Sequence, residues 1–249
     1  MAKRAVVTGA GSGIGRECAH LLSEKGYEII AVGRTSATLE ETVSTAPGPG
    51  VIIPMVMDVA DRAAHRGAFA ALDSVDIFIA AAGICAQGRL DEEGADDVWE
   101  RTMATNVDGV WYMFRELYDK LAEDGRAVVV SSGLGKLGRH GYGAYTASKH
   151  AVLGLVKCFA KELAPRRITV NGVCPGWVDT KMARADLVHT ASVHGTTPEE
   201  ERAAAEAAIT LNRFVTAREV AQLILFLAST EAGGITGQAY NISGGEFFA

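Results

Sequence analysis

Short apolar runs and longer stretches of helical spacing alternate along the whole chain. The runs at 4–9, 27–33, 51–58, 75–83, 126–132 and 168–176 are rich in Val, Ile and Ala, and most end in glycine. Between the first two, Cys18, Ala19, Leu21 and Leu22 fall at helical spacing, and the pattern stops at Gly26. Stretches at 36–44, 61–72, Ala95 to Leu121, about Tyr142 to Leu163, and 217–228 predict further helices, and 238–245 predicts a last strand. Runs that are apolar at every position suit strands covered on both faces, and their alternation with helices indicates a parallel sheet. The expected fold is α/β: one domain over 1–249, a Rossmann-type doubly wound parallel sheet of about seven strands with helices on both faces. The Ala- and Glu-rich segment Lys181–Leu211 lacks a strong apolar stripe and is expected to be a mobile insertion near the substrate.

Composition narrows the function classes. An apolar content of 48% over 249 residues supplies a substantial core. The net charge of −6 and the lack of a long basic run exclude nucleic acid as a partner, the pair Lys3–Arg4 being too short for a binding arm. No apolar stretch approaches the roughly 20 residues that span a bilayer. The first apolar run leads into a glycine-rich turn rather than a cleavage site, so no signal peptide is expected. Cys18, Cys85, Cys158 and Cys174 are scattered, with no paired spacing and no His at metal-ligand spacing. Free thiols, no metal site and a cytoplasmic location follow as expectations.

Candidate chemistry lies at the ends of the predicted strands, where such folds bind ligands. Thr8 to Gly15 reads T-G-A-G-S-G-I-G between the first strand and the first helix. Glycines there let the backbone approach a pyrophosphate, and the helix start offers free N–H groups and a positive dipole end. The second strand ends at Gly33-Arg34-Thr35 without the acidic residue that would bind an NAD ribose. Arg34 suits a 2′-phosphate, with Thr35 and Ser36 adding hydroxyls, so NADP(H) is favoured over NAD(H). Tyr145 and Lys149 are four apart on a predicted helix and share a face. An ammonium beside a phenol, with an oxidised nicotinamide, is expected to lower the phenol's pKa from its usual value near 10 and make it an acid/base.

The T-G-x-x-x-G-x-G turn, with Gly9, Ser12, Gly13, Ile14 and Gly15, and the Y-T-A-S-K stretch resemble the short-chain dehydrogenase/reductase family over essentially the whole chain. The resemblance implies hydride transfer between a nicotinamide cofactor and an alcohol or carbonyl. It implies that Ser132 binds the substrate oxygen, with Ser131 structural, that Lys149 also contacts the nicotinamide ribose, and that Asn106 holds a water linked to Lys149. Asp58-Val59 matches the family's adenine-contacting pair. Pro175, Gly176, Val178 and Thr180 match the stretch that contacts the nicotinamide carboxamide. Ala82 and Gly83 match the family's Asn-Asn-Ala-Gly, but alanines replace both asparagines, which removes hydrogen bonds that brace the central sheet.

Residues flanking this set are expected to line the substrate pocket: Leu134, His140, Tyr142, Trp177 and Met182, with Ala81 and Cys85 leaving space. The stretches around 132–157, 174–183 and 199–221 are similar to bacterial aromatic-polyketide ketoreductases, with 3-oxoacyl reductases as related members. That implies a small ketone or secondary alcohol, aromatic or an acyl thioester. Lys136 and Arg139 read as solvated loop charges, contact with a carrier protein being the alternative. The family commonly forms homotetramers through the helices at 95–121 and 142–163. An NAD-dependent alcohol dehydrogenase and a non-catalytic nicotinamide-binding regulator are the alternative functions. A nucleotide-sugar epimerase or dehydratase is disfavoured, since such proteins usually have a differently spaced glycine turn and a much longer C-terminal region.

Overall fold

The structure is a computed structural model that describes residues 3–248. Seven strands form one sheet in the order β3-β2-β1-β4-β5-β6-β9. They are β1 (Arg4–Thr8), β2 (Glu28–Gly33), β3 (Val51–Val56), β4 (Val75–Ala80), β5 (Leu121–Val130), β6 (Thr169–Pro175) and β9 (Ala239–Ile242), all paired in parallel. The order reverses between β1 and β4, which opens a crevice beyond the carboxyl ends of those two strands. Two short strands, β7 (Val178–Asp179) and β8 (Val215–Thr216), pair separately.

The sheet is buried on both faces, as strands apolar at every position require. On one face Leu21 and Leu22 of α1 (Gly13–Glu24) and Val220 and Ile224 of α8 (Ala217–Leu227) pack over Val7, Ile29 and Val128; Leu39 of α2 (Ser36–Ser44) joins them. On the other face α4 (Gly109–Leu117) supplies Met113, Phe114 and Leu117, and α5 (Gly143–Leu163) supplies Val152, Val156 and Phe159. Phe114 meets Phe78 at 5.0 Å and Phe159 at 4.4 Å between ring centroids. The apolar face of α5 is thus committed to the sheet.

Three expected elements differ. Residues 61–72 form successive turns closed by bonds such as Ala64 N–H to Asp61 O and Ala68 N–H to His65 O, not a helix. Gly67 has φ +69, which no continuing right-handed helix allows. The long helix is interrupted: α3 (Ala95–Met103) passes into a π-helical turn, Ala104–Asp108, before α4. Leu121 lies outside it, because its backbone pairs with Val75 and starts β5. The segment after β7 folds as α6 (Lys181–His194) and α7 (Pro198–Ala207). Ala183, Leu187 and Ala191 fall four apart and form a narrow buried stripe on α6, and Thr197 and Glu200 close a capping box on α7. Ala183 and Leu187, with Ile209 and Phe214, make a small apolar cluster apart from the main core.

Candidate active site

At the carboxyl edge the ends of β1 and β4 are tied together by Thr8, whose Oγ1 accepts the N–H groups of Ala81 at 3.2 Å and Ala82 at 3.1 Å. This side chain braces the strand ends where the two family asparagines are missing. The glycine turn follows. Gly9 has φ +69, and a Cβ there would meet the backbone of Ala81 and Ala82 at 2.8 Å. A Cβ on Gly15 would stand 2.3 Å from Gly9 O. Arg16 staples the turn to α2, donating to Gly11 O at 2.6 Å and Glu41 Oε2 at 2.7 Å. The Ser12 side chain does not cap α1, so the leading N–H groups of that helix face the groove.

A groove of about 250 Å³ runs along this turn. Gly9, Ser12, Gly13, Ile14 and Gly15 form its floor, Arg34, Thr35, Asp58 and Val59 one end, and Ala82 and Gly83 the other. The Arg34 guanidinium lies 3.9 Å from Asp58, with its side chain 60% exposed, so it is available at the groove's mouth. Backbone N–H groups, small residues and one cation at the far end fit a phosphorylated dinucleotide.

The groove passes into a second cavity of about 330 Å³ across Ile14, Ala81, Gly83 and Thr180. Ser132, Tyr145 and Lys149 border this cavity, with Pro175, Gly176 and Val178 on the adjoining wall. Tyr145 and Lys149 leave α5 one turn apart, and the Lys149 Nζ lies 5.6 Å from the phenol ring centre. Lys149 donates to Val130 O at 2.9 Å, and Ser131 Oγ donates to Lys149 O at 2.9 Å. Burial pushes the Lys149 ammonium down to about 8, with the Cys85 and Cys174 thiols opposing it. Burial also pushes the Tyr145 phenol above its ordinary value, Cys85 adds to this, and a hydrogen bond with Ser132 works the other way. The expected lowering by Lys149 is therefore corrected for the protein by itself: the ammonium lies over the ring rather than on the phenol oxygen, and desolvation dominates.

Asn106 sits behind this wall, buried in the π-helical turn. Its Nδ2 donates to Ile84 O at 2.9 Å and Ser148 Oγ at 3.0 Å, and its Oδ1 accepts Ile84 N–H at 2.8 Å. A Cβ on Gly83 would meet Asn106 Oδ1 at 3.2 Å and Lys149 Nζ at 3.4 Å, so Gly83 separates the two side chains. The weak helix former at mid-helix is compensated by bonds to two neighbouring segments.

Leu134, Tyr142, Trp177 and Met182 line the second cavity as expected, with Ala81 and Cys85. His140 does not: it is exposed and off the wall. Its neighbour Arg139 is exposed, as expected of a solvated loop charge, and it also borders the cavity, lying 5.1 Å from the Tyr142 ring centre and 5.3 Å from that of Trp177. Lys136 instead donates to Ala239 O at 3.0 Å. Pattern reading also missed Gln87, Asp186 and Glu246. Tyr142 Oη donates to Asp186 Oδ2 at 2.7 Å, and Gln87 Nε2 lies within 3.0 Å of Tyr142, Asp186 and Thr190. Glu246 accepts the Trp177 N–H at 3.3 Å, and burial pushes its carboxyl up. Nothing in the local sequence marks these three, which come from loops and helices far apart in the chain.

The doubly wound sheet, with its groove at the strand ends, places the protein among the Rossmann-type α/β folds. A family model described as Enoyl-(Acyl carrier protein) reductase matches residues 9–246, and the chain belongs to the short-chain dehydrogenase/reductase family of oxidoreductases acting on C=O and CH–OH groups. It is 38% identical over 97% of its length, and 95% of the relative's, to a monensin polyketide synthase protein of Streptomyces virginiae provisionally named a ketoacyl reductase. It is 35% identical over 98% of its length, and 97% of the relative's, to the 3-oxoacyl-[acyl-carrier-protein] reductase of Thermotoga maritima. A crystal structure of a single-residue variant of actinorhodin polyketide ketoreductase with NADPH superposes with a TM-score of 0.90 at 32% identity, covering 98% of this chain and 97% of that one. Among the described residues no helix is long and apolar enough to cross a membrane, and no cluster of side chains could hold a metal ion.

Proposed function

We propose that the protein is an NADP(H)-dependent ketoreductase that interconverts a ketone and a secondary alcohol, with Tyr145 as the acid/base. The observation that carries this reading is the meeting of Ser132, Tyr145 and Lys149 on one cavity that passes directly into the glycine groove. When bound, the dinucleotide supplies or accepts the hydride at the substrate carbon. Gly9 to Gly15 and the start of α1 hold its phosphates, Asp58 and Val59 contact the adenine, and Arg34 with Thr35 takes the 2′-phosphate. Pro175, Gly176, Val178 and Thr180 orient the nicotinamide end.

Ser132 donates a hydrogen bond to the substrate oxygen and turns it toward Tyr145. Burial keeps the phenol protonated at neutral pH, the form that donates to the ketone oxygen as the carbon is reduced. Lys149, pushed down only to about 8, is mostly ammonium at pH 7 and stabilises the phenolate left behind. It also contacts the nicotinamide ribose. Asn106, across Gly83, holds a water through which the proton is replaced from solvent. In alcohol oxidation each step runs in reverse.

The substrate is a small ketone or secondary alcohol, aromatic or an acyl thioester, in keeping with the names of the relatives. Residues 181–211 are a mobile insertion beside it, and the protein works in the cytoplasm. Trp99, Trp111 and Tyr118, exposed on α3, α4 and the residue after it, suit a homotetramer interface. The test is consumption of NADPH and NADH, in parallel, against aryl ketones, cyclic ketones and 3-oxoacyl thioesters. Turnover with NADPH that vanishes in Tyr145→Phe is expected. Turnover with NADH alone overturns the role of Arg34, and turnover that survives in Tyr145→Phe overturns the mechanism.

A further inference from the structure

Arg139 is used by none of the steps above, yet this exposed side chain borders the cavity. Its guanidinium lies over the rings of Tyr142 and Trp177, at 5.1 and 5.3 Å from their centres. Both rings are themselves held. Tyr142 Oη is bonded to Asp186 at 2.7 Å and to Gln87 at 2.8 Å. Trp177 stacks on Phe214 at 5.1 Å with 12° between the planes, and the Arg202 guanidinium covers Phe214 at 4.6 Å. Arg139 is thus seated by a continuous column that runs from α5 to α7.

Contact with ring faces leaves the in-plane N–H groups of a guanidinium unspent. Among the described residues none of the Arg139 side-chain donors makes a hydrogen bond, and no carboxylate lies within ion-pairing distance. The acids nearby are otherwise occupied. Asp186 already accepts from Tyr142 and Gln87, Glu246 accepts the Trp177 N–H, and Glu201 accepts from Thr196 and pairs with His194. The planar fork of an arginine matches a carboxylate with two parallel bonds, which a neutral ester or thioester oxygen cannot offer.

From this placement we infer that Arg139 is a specificity-determining residue and that the preferred substrate is a keto acid, a ketone or secondary alcohol carrying a free carboxylate away from the reacting carbon. The inference rests on the ketoreductase reading. The carboxylate docks on the Arg139 edge while the ketone oxygen meets Ser132 and Tyr145, so one end of the cavity reads charge and the other performs the reaction.

The test uses the whole protein with NADPH and matched pairs: 3- and 4-acetylbenzoate against their methyl esters, and levulinate against methyl levulinate. For at least one pair the acid is expected to exceed the ester in kcat/KM by about tenfold or more, chiefly through KM, as one charge-assisted bidentate contact provides. In Arg139→Gln that ratio falls toward one, and in Arg139→Lys it is partly restored. A ratio near one for every pair in the unaltered protein, or a preference that persists in Arg139→Gln, overturns the inference and leaves the ketoreductase reading standing. Calorimetric titration with the same acids and esters reads the site without turnover. If no ketone is reduced but the acids bind more tightly than the esters and lose that advantage in Arg139→Gln, the docking role holds and the ketoreductase reading fails. Equal binding of acid and ester overturns the docking role as well.

Discussion

The groove and the cavity meet at Gly83 and are built on opposite plans. The groove is built around a contiguous glycine turn, a helix start and the ends of β1, β2 and β4, with side chains such as Thr38, Met57 and Met182 completing its lining. The cavity is largely made of side chains from distant segments, among them Cys85, Leu134, Tyr145, Lys149, Trp177 and Glu246. A surface made of backbone is shaped by the absence of atoms, so almost any added atom strikes a neighbour that cannot move. A surface made of side chains is held by hydrogen bonds and stacking, and one wall can change while the rest keeps its shape. One end is therefore suited to a constant ligand and the other to a variable one.

The sharpest change is expected at the junction. Tyr145→Phe should lower ketone reduction by about 10³-fold while leaving the urea unfolding midpoint in place. A variant that keeps a tenth of the rate would remove Tyr145 from the mechanism. Gly15→Ala strikes the backbone plan. Its Cβ would lie 2.3 Å from Gly9 O, and a destabilisation of about 2–3 kcal/mol is expected with loss of dinucleotide binding. Equilibrium unfolding and fluorescence titration with NADPH measure both.

Arg34→Ala touches only the end of the groove. The NADPH dissociation constant should rise about 10- to 100-fold while that for NADH stays within about twofold. An equal loss for both nucleotides would mean that Arg34 acts on the fold rather than on the phosphate. Gln87→Ala is the counterpart on the cavity side. Loss of about 1 kcal/mol of hydrogen bonding from the Tyr142–Asp186 link should raise the ketone KM about fivefold and leave NADPH affinity unchanged. A change in nucleotide affinity would break the independence of the two regions.

The smallest effect is a pH slope. Burial holds Lys149 near 8 in the folded chain, below its ordinary 10.5. Between those values the unfolded chain binds the extra proton, so this group's contribution to stability rises with pH through that window. Lys149→Met should make the slope of urea-unfolding free energy against pH less positive between pH 8 and pH 10.5, by this group's share. A slope identical to that of the unaltered protein would mean that the ammonium is not desolvated.

What could be read in advance follows the same division. Tyr145 and Lys149 were legible from helical spacing, Gly9 to Gly15 because a turn leaves its mark on neighbouring residues, and Ser132 through the family resemblance. The interruption of the long helix was not read in advance: the bonds that Asn106 makes to Ile84 and Ser148 span 22 and 42 residues of sequence. Residues 61–72 carried a helical pattern that Gly67 overrode. The stripe on α6 was too narrow, with small Ala183 and Ala191 on either side of Leu187, to be read as a packed face.

The sequence by itself determined the alternation of strands and helices, the parallel sheet, the glycine turn and the pairing of Tyr145 with Lys149. All of these depend on residues within a few positions of one another, where backbone geometry fixes the relation. Only the tertiary structure decided that Arg139 and not His140 borders the cavity, that Thr8 braces the strand ends, and that Gln87, Tyr142 and Asp186 join. Those outcomes depend on which distant segments fold against the same edge of the sheet, and a side chain's neighbours across that distance leave no period in the sequence.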